Sequence, residues 1–161
     1  MASLFAVTLP SCGNPQAANE QGNTNSATKG TLKMATDANY PPYEFYDTAS
    51  GSQDPQGFDI DIARYITGKL GYNLEIVSMD FSGVIPALQA KRADFAMAGI
   101  TPTEERKKNI DFSEIYYSTK DAIVVPKGSG ITKVEDLSGK NVGAKLGTVQ
   151  EQAAKKIIAV V

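Results

Sequence analysis

The chain has 161 residues, 42% of them hydrophobic and 21% charged, with 14 Gly and 8 Pro; that is about one ordinary globular domain, for which roughly 100–200 residues is typical. Sixteen Lys and Arg against 18 Asp and Glu leave a net charge of −2, which argues against a nucleic-acid surface because phosphate binding needs a basic excess on some face. One Cys and no His exclude an internal disulfide, a thiolate zinc cluster, imidazole-ligated metals, and Ser-His-Asp or Cys-His catalysis.

The N-terminal residues differ from the rest. Residues 2–11 are uncharged and mostly apolar, and the single Cys follows at position 12. No apolar run is long enough to span a membrane as a mature helix. The sequence Leu9-Pro10-Ser11-Cys12 resembles the end of a bacterial lipoprotein signal, which is cleaved before a Cys whose sulfur is then acylated. It departs in placing Pro10 before the small residue and in having no basic residue ahead of the apolar run. The alternative is a frayed terminus with an incidental thiol. Residues 13–30 are Asn, Gln, Gly, Ser, Thr, Ala and Pro with one Glu and one Lys. Such a segment buries too little surface to offset its ordering entropy, so it reads as a disordered polar tether. Folding is expected to begin near Thr31.

From there strands and helices alternate. Leu32–Thr36 reads as a strand ending at Asp37, followed by a loop with Pro41-Pro42. Phe58, Ile62, Ile66 and Leu70 recur every four residues with Asp61 and Arg64 on another face, an amphipathic helix stopped by Gly71. Leu74–Val77 is a strand. Ser82 caps a helix with Val84, Ile85 and Leu88 on one face, running to about Arg92. Asp94–Ala98 is a strand, Pro102–Lys108 a short helix, and Ala122–Val125 and Asn141–Lys145 are strands, with a helix from about Thr148. This alternation implies a parallel, doubly wound α/β sheet.

In open α/β sheets, ligands sit beyond the carboxyl ends of the strands. Those ends carry Asp37 and Tyr40, then Asp80-Phe81-Ser82, then Gly99-Ile100-Thr101, then Lys145-Leu146-Gly147-Thr148. Thr101-Pro102-Thr103-Glu104 and Thr148-Val149-Gln150-Glu151 have capping-box spacing, and helix N-termini present free N–H groups suited to a carboxylate. Arg106 adds a bidentate fork for the same anion. Each box taken alone is explained by helix stabilisation. Tyr116-Tyr117 and Tyr43-Glu44-Phe45-Tyr46 read equally as packing, Glu104–Lys108 as a solvated helix face, and Asp59 with Asp61 as a poor metal pair because they point apart.

The runs Ala35-Thr36-Asp37, Tyr40-Pro41-Pro42-Tyr43-Glu44-Phe45, Gly57-Phe58-Asp59-Ile60-Asp61, Met79-Asp80-Phe81, Ile85-Pro86-Ala87-Leu88, Gly99-Ile100-Thr101-Pro102-Thr103-Glu104-Glu105-Arg106 and Ile110-Asp111-Phe112-Ser113 stand in this order. Together they resemble the polar amino-acid-binding proteins of bacterial ABC importers, solute-binding family 3 with a type II periplasmic-binding fold. Among these the chain is most similar to the glutamine and basic amino-acid binders. The resemblance covers residues from about 31 to 155. It implies an extracytoplasmic, monomeric carrier that takes a polar amino acid between two lobes and hands it to a permease, and the lipoprotein-like segment ending at Cys12 adds a lipid anchor to that expectation. It implies no cofactor, no metal, no catalysis and no nucleic-acid partner.

The same resemblance assigns residues. Asp37 faces the ligand's side-chain end, and Tyr40 with Phe81 sandwiches its aliphatic stem. Gly99 and Thr101 hold the α-ammonium and help hold the α-carboxylate, which Arg106 pairs. Lys145 matches a lysine of the glutamine binders that meets the side-chain end. Val149 stands where the family has Gly or Thr and retains its backbone N–H. Ala98 replaces a Ser of the histidine binders. Asp37 with Lys145 leaves an amide, a guanidinium or an ammonium open as the ligand's end group.

Family members also run on well beyond this length. The expected organisation is therefore a lipoprotein-type signal remnant over 1–12, a tether over 13–30, and lobe one over 31–117. Residues 118–161 are expected to hold the hinge crossing and the start of lobe two, with the crossing near Tyr116–Lys120. Two other functions fit the same fold: a dehydratase of the cyclohexadienyl type, needing a general acid at the cleft, and a receptor input domain.

Overall fold

The computed structural model describes residues 28–160. Cys12, the signal-like segment and nearly all of the tether lie outside the described residues. Strand β1 (Thr31–Thr36) is the central strand of a three-stranded parallel sheet, ordered β4-β1-β5, with β4 at Asn73–Ser78 and β5 at Phe95–Ala96. Thr31 to Thr36 pair in step with Asn73 to Ser78, while Met34 and Ala35 pair with Phe95 and Ala96. Between β1 and the first long helix, β2 (Asn39–Tyr40) and β3 (Glu44–Phe45) form a small antiparallel hairpin that turns through a cis Pro41–Pro42 bond.

Successive β1 side chains point to opposite faces, and that alternation divides the core. Met34 packs with Ile60, Ala63 and Met97 against helix α1 (Phe58–Leu70). Its neighbour Ala35 packs with Val84, Ala87 and Ala93 against helix α2 (Phe81–Gln89) on the other face. Helices therefore cover both sides of the sheet, as the doubly wound reading requires. Burying Met34 and Ile60 completely contributes about 1.5–3 kcal/mol each.

α1 has the expected bounds, and Gly71 ends it in the left-handed conformation, φ 80°, where a side chain would be strained. Its buried face is not the expected one. Asp59, Ile60, Ala63 and Thr67 face inward, while Phe58, Ile66 and Leu70 are exposed. α2 begins after Asp80 rather than Ser82 and ends at Gln89, short of Arg92; Lys91 takes a positive φ of 55° just beyond it.

The next helix, α3 (Glu104–Lys107), is a single turn capped by Thr103, whose hydroxyl accepts from Arg106 N–H at 3.2 Å. Thr101 does not cap it: the helix starts at Glu104, so Thr103 holds the N-cap position, and the Thr101 carbonyl accepts from Thr103 N–H and from the Arg106 side chain. Residues 122–125 and 141–145, expected as strands, join no sheet among the described residues. Val124 is 94% exposed. A 3-10 turn at Val134–Leu137 and helix α4 (Val149–Val160) complete the described chain.

Candidate functional site

The carboxyl ends of β1, β4 and β5 lie side by side because the three strands are parallel, so the residues just beyond them share one edge. Asp37, immediately after β1, is 2% exposed. A buried carboxylate needs donors, and both oxygens have them. Oδ2 accepts from Phe81 N–H at 2.8 Å and is ion-paired with Lys145 Nζ, and Oδ1 accepts from Asn39 Nδ2 at 3.1 Å. Lys145 keeps about half of its side chain in solvent, so the pair has one buried end and one open end.

Arg106 forms the second part. Its Nη1 donates to the Thr101 carbonyl and its Nη2 to the Gly147 carbonyl, each at 2.9 Å. The guanidinium lies 5.5 Å from the centroid of the Phe81 ring, a cation–π arrangement worth about 0.5–1 kcal/mol at such a site. Partial burial lowers its pKa, opposed by the charge of Glu105, yet a guanidinium stays protonated in any such setting. Gly147, at φ 79°, packs directly on Ser82 and Phe81: a Cβ there would come 3.3 Å from Ser82. This places the Lys145–Thr148 turn on the start of α2.

Tyr40 and Gly99 form the third part. Gly99 takes a positive φ of 56°, and a Cβ added there would meet the Tyr40 ring at 3.4 Å, so a flat backbone shelf lies beside a half-exposed aromatic face. Tyr40 in turn stacks on Tyr43, with ring centroids 5.1 Å apart. Val149 opens α4 directly after Thr148, whose hydroxyl accepts from Glu151 N–H at 3.1 Å and donates to the Lys145 carbonyl at 2.6 Å. The Glu151 carboxylate reaches back to Gly147 N–H at 2.7 Å, one residue earlier than a full capping box.

Direct contacts thus join Asp37, Phe81, Thr101, Arg106 and Lys145 into one cluster, and Tyr40 with Gly99 into a second pair. Val149 shares only its neighbourhood on the chain. Three participants are not among the site residues expected from the sequence, where Glu44 reads as packing and Asp59 as half of a poor metal pair. Asn39 orients Asp37. Glu44 and Asp59 are each 1% exposed, and Asp59 accepts from Gly99 N–H at 3.3 Å. The inward stripe of α1, read at the right phase, was the signal for Asp59; an acid set among the aromatics Tyr43 and Phe45 was the signal for Glu44.

Residues 32–158 match the description "bacterial extracellular solute-binding proteins, family 3". The chain belongs to that family. Among family-3 proteins it is 38% identical, over 157 residues, to the arginine-binding extracellular protein ArtP of Bacillus subtilis (strain 168), covering 98% of this chain and 58% of ArtP. A solved ancestral arginine-binding protein bound to arginine is 47% identical with a TM-score of 0.76, covering 83% of this chain and 58% of that one. An ancestral arginine-binding protein bound to glutamine is 48% identical with a TM-score of 0.76, covering 82% and 58%. The family-3 chain described here therefore spans 58% of each of these relatives, and over that span it has their type II periplasmic-binding fold.

Proposed function

We propose that this chain carries the first lobe and the start of the second of an amino-acid-binding component of an ABC importer, and that its ligand is a polar amino acid, glutamine or a basic one. The observation that carries the reading is the cluster in which Asp37, paired with Lys145, stands beside Arg106 over the Phe81 ring. A zwitterion needs a cation for its carboxylate, an apolar face for its stem and a polar pair for its end group, and the cluster supplies all three. Arg106 would turn from backbone carbonyls to the carboxylate, a stronger charge-assisted partner. Because both Asp37 oxygens already have donors, a carboxamide inserts between Asp37 and Lys145 by giving one hydrogen bond and taking one. A guanidinium must displace the lysine. Glutamine is therefore the first choice, and the two solved relatives, bound to arginine and to glutamine, support keeping both.

Calorimetric titration of the full-length protein with glutamine, arginine, lysine and histidine tests this. Arg106→Ala should cost about 2–5 kcal/mol, the loss expected on removing one partner of a buried charge pair, or roughly 30- to several-thousand-fold in affinity. Arg106→Lys should recover part only, since a point charge does not replace the planar fork. Binding in Arg106→Ala within threefold of wild type would move the carboxylate site elsewhere.

Delivery to a permease, a monomeric state and lipid anchoring through Cys12 belong to the same reading; the lipoprotein-like Leu9-Pro10-Ser11-Cys12 segment supports the last of them. Cells expressing the protein with its signal should label it with a fatty-acid analogue and retain it in the membrane fraction. Cys12→Ser should release it, and a variant that stays in that fraction unlabelled refutes the anchor.

A further inference from the structure

Two carboxyl groups, Glu44 on β3 and Asp59 in the first turn of α1, are buried together and lie outside the proposed ligand contacts. Each is 1% exposed. Asp59 is well supplied with donors. Its Oδ1 accepts from Tyr116 Oη at 3.0 Å, its Oδ2 accepts from Gly99 N–H at 3.3 Å, and the Glu44 carboxyl lies beside it. Glu44 is different: its Oε2 is buried and meets no N–H or O–H donor. An ionised Glu44 would leave that oxygen unsatisfied beside a second carboxylate, whereas a protonated one donates to Asp59. Burial first, and the nearby charge of Asp59 second, push the Glu44 carboxyl up to about 9, with Asp37 adding to the shift and Lys145 opposing it. Burial raises Asp59 too, but hydrogen bonds from Tyr116, Gly99 and Glu44 pull against it. Both Asp59 oxygens already accept, whereas Glu44 Oε2 has no donor, so Glu44 is the carboxyl of the pair placed to hold a proton and Asp59 the one placed to accept.

The three donors come from distant parts of the chain. Gly99 is the backbone shelf beside Tyr40. Tyr116 belongs to the segment that leaves the first lobe, and its ring lies 6.2 Å from Phe58. The adjacent Tyr117 sits 5.5 Å from both Tyr43 and Phe58, and Tyr43 stacks on Tyr40. The exit segment is thus joined to both sides of the shelf, by rings on the Tyr40 side and by Asp59 on the Gly99 side.

We propose that Asp59 is a positioning residue for ligand binding: by accepting simultaneously from Gly99 N–H and Tyr116 Oη, with Glu44 as its third donor, it locks the ligand shelf to the segment crossing out of the first lobe. The proposal rests on the amino-acid-binding reading above, in which Gly99 contacts the ligand. Without Asp59 the Gly99 carbonyl loses its fixed direction, and the crossing segment loses its polar tie to the shelf. An amide at position 59 keeps part of the arrangement, because its oxygen still accepts from Gly99 and its Nδ2 donates to a Tyr116 hydroxyl rotated to accept.

The test compares wild type with Asp59→Ala, Asp59→Asn, Tyr116→Phe and Glu44→Gln, reading glutamine and arginine affinity by calorimetry from pH 6 to 10 and Gly99 amide exchange by NMR without ligand. Asp59→Ala should lose at least about tenfold in affinity and expose the Gly99 amide to fast exchange. Asp59→Asn should recover much of both, and Tyr116→Phe should lose severalfold. The pH profile separates positioning from mere packing. Wild-type affinity should fall above about pH 9 more steeply than the ligand's own ammonium titration explains, as Glu44 ionises against Asp59 and Asp37. Glu44→Gln keeps a donor on Asp59 at every pH and should lack the extra fall; Tyr116, raised by its burial, remains a donor throughout.

If Asp59→Ala does not fold, Tyr116→Phe and Glu44→Gln decide. Wild-type affinity in Tyr116→Phe, or a Glu44→Gln profile identical to wild type, overturns the proposal while leaving the binding function standing. A protected Gly99 amide in a protein that binds neither amino acid sinks the binding function, and the proposal with it.

Discussion

Glu44 shows how one residue ties stability to pH. Its carboxyl is raised to about 9 in the folded chain, against an ordinary value of 4.5, chiefly by burial. Between those values the folded state holds a proton that the unfolded state has released. Stability therefore falls as pH rises, with the full contribution present below the ordinary carboxylate range and lost through about pH 9. Asp59, also raised by burial, acts with the same sign. Asp47, Asp136 and Glu151 are lowered by hydrogen bonds, so their effect has the opposite sign: it is present in full above the ordinary carboxylate range and is lost as pH falls below it. Urea unfolding between pH 5.5 and 8.5 should show a wild-type midpoint that declines steadily and a Glu44→Gln midpoint that is nearly level. Parallel profiles would mean that Glu44 is ionised in the folded protein.

Among elements, legibility followed the reach of the physics involved. β1, β4 and α1 are written in local apolar periodicity and, for α1, in a glycine stop, and they appear within one residue of their expected bounds. The buried face of α1 did not follow, because residues four apart drift by about 40° per step around a helix. Phe58, Ile62, Ile66 and Leu70 thus wind across the surface, while the sheet meets a stripe narrowed by Ala63 and Thr67. The Thr67 hydroxyl is satisfied by the Ala63 carbonyl at 2.9 Å. Phe58 serves the aromatic group with Tyr43, Tyr116 and Tyr117 instead. The runs 122–125 and 141–145 have strand composition, but a strand is a pairing, and a parallel pair standing alone is marginal. The strand ends were legible from topology: Asp37, Phe81 and Gly99 follow β1, β4 and β5 as the parallel reading puts them, whereas Lys145 ends no strand and reaches Asp37 from a turn. Glu44 and Asp59 were not, because a buried acid looks like a solvated one until its donors, 40 and 57 residues away in the case of Asp59, are in place.

At the scale of the molecule, cohesion is uneven. Every buried apolar side chain among the described residues lies between Met34 and Ala98 except Leu137. Beyond Ser113 the backbone hydrogen bonds outside α4 are local turns. What fastens this part to the sheet is chiefly polar: Lys145 on Asp37, Arg106 on the Gly147 carbonyl, and Tyr116 on Asp59, with the Tyr116 and Tyr117 rings on Phe58. Segments with few apolar contacts and exposed amides open at low free energy, independently of the core. Hydrogen exchange should therefore be slow in β1, β4, α1 and α2 and much faster across residues 118–147. Two of the polar ties are made by the proposed ligand-contacting groups, so an amino acid bridging Asp37, Lys145 and Arg106 should tighten the junction it occupies. Saturating glutamine is expected to slow exchange most at residues 145–152 and to leave the sheet amides unchanged. Equal protection along the whole chain before ligand is added would show that apolar packing, not these polar ties, holds the second part in place.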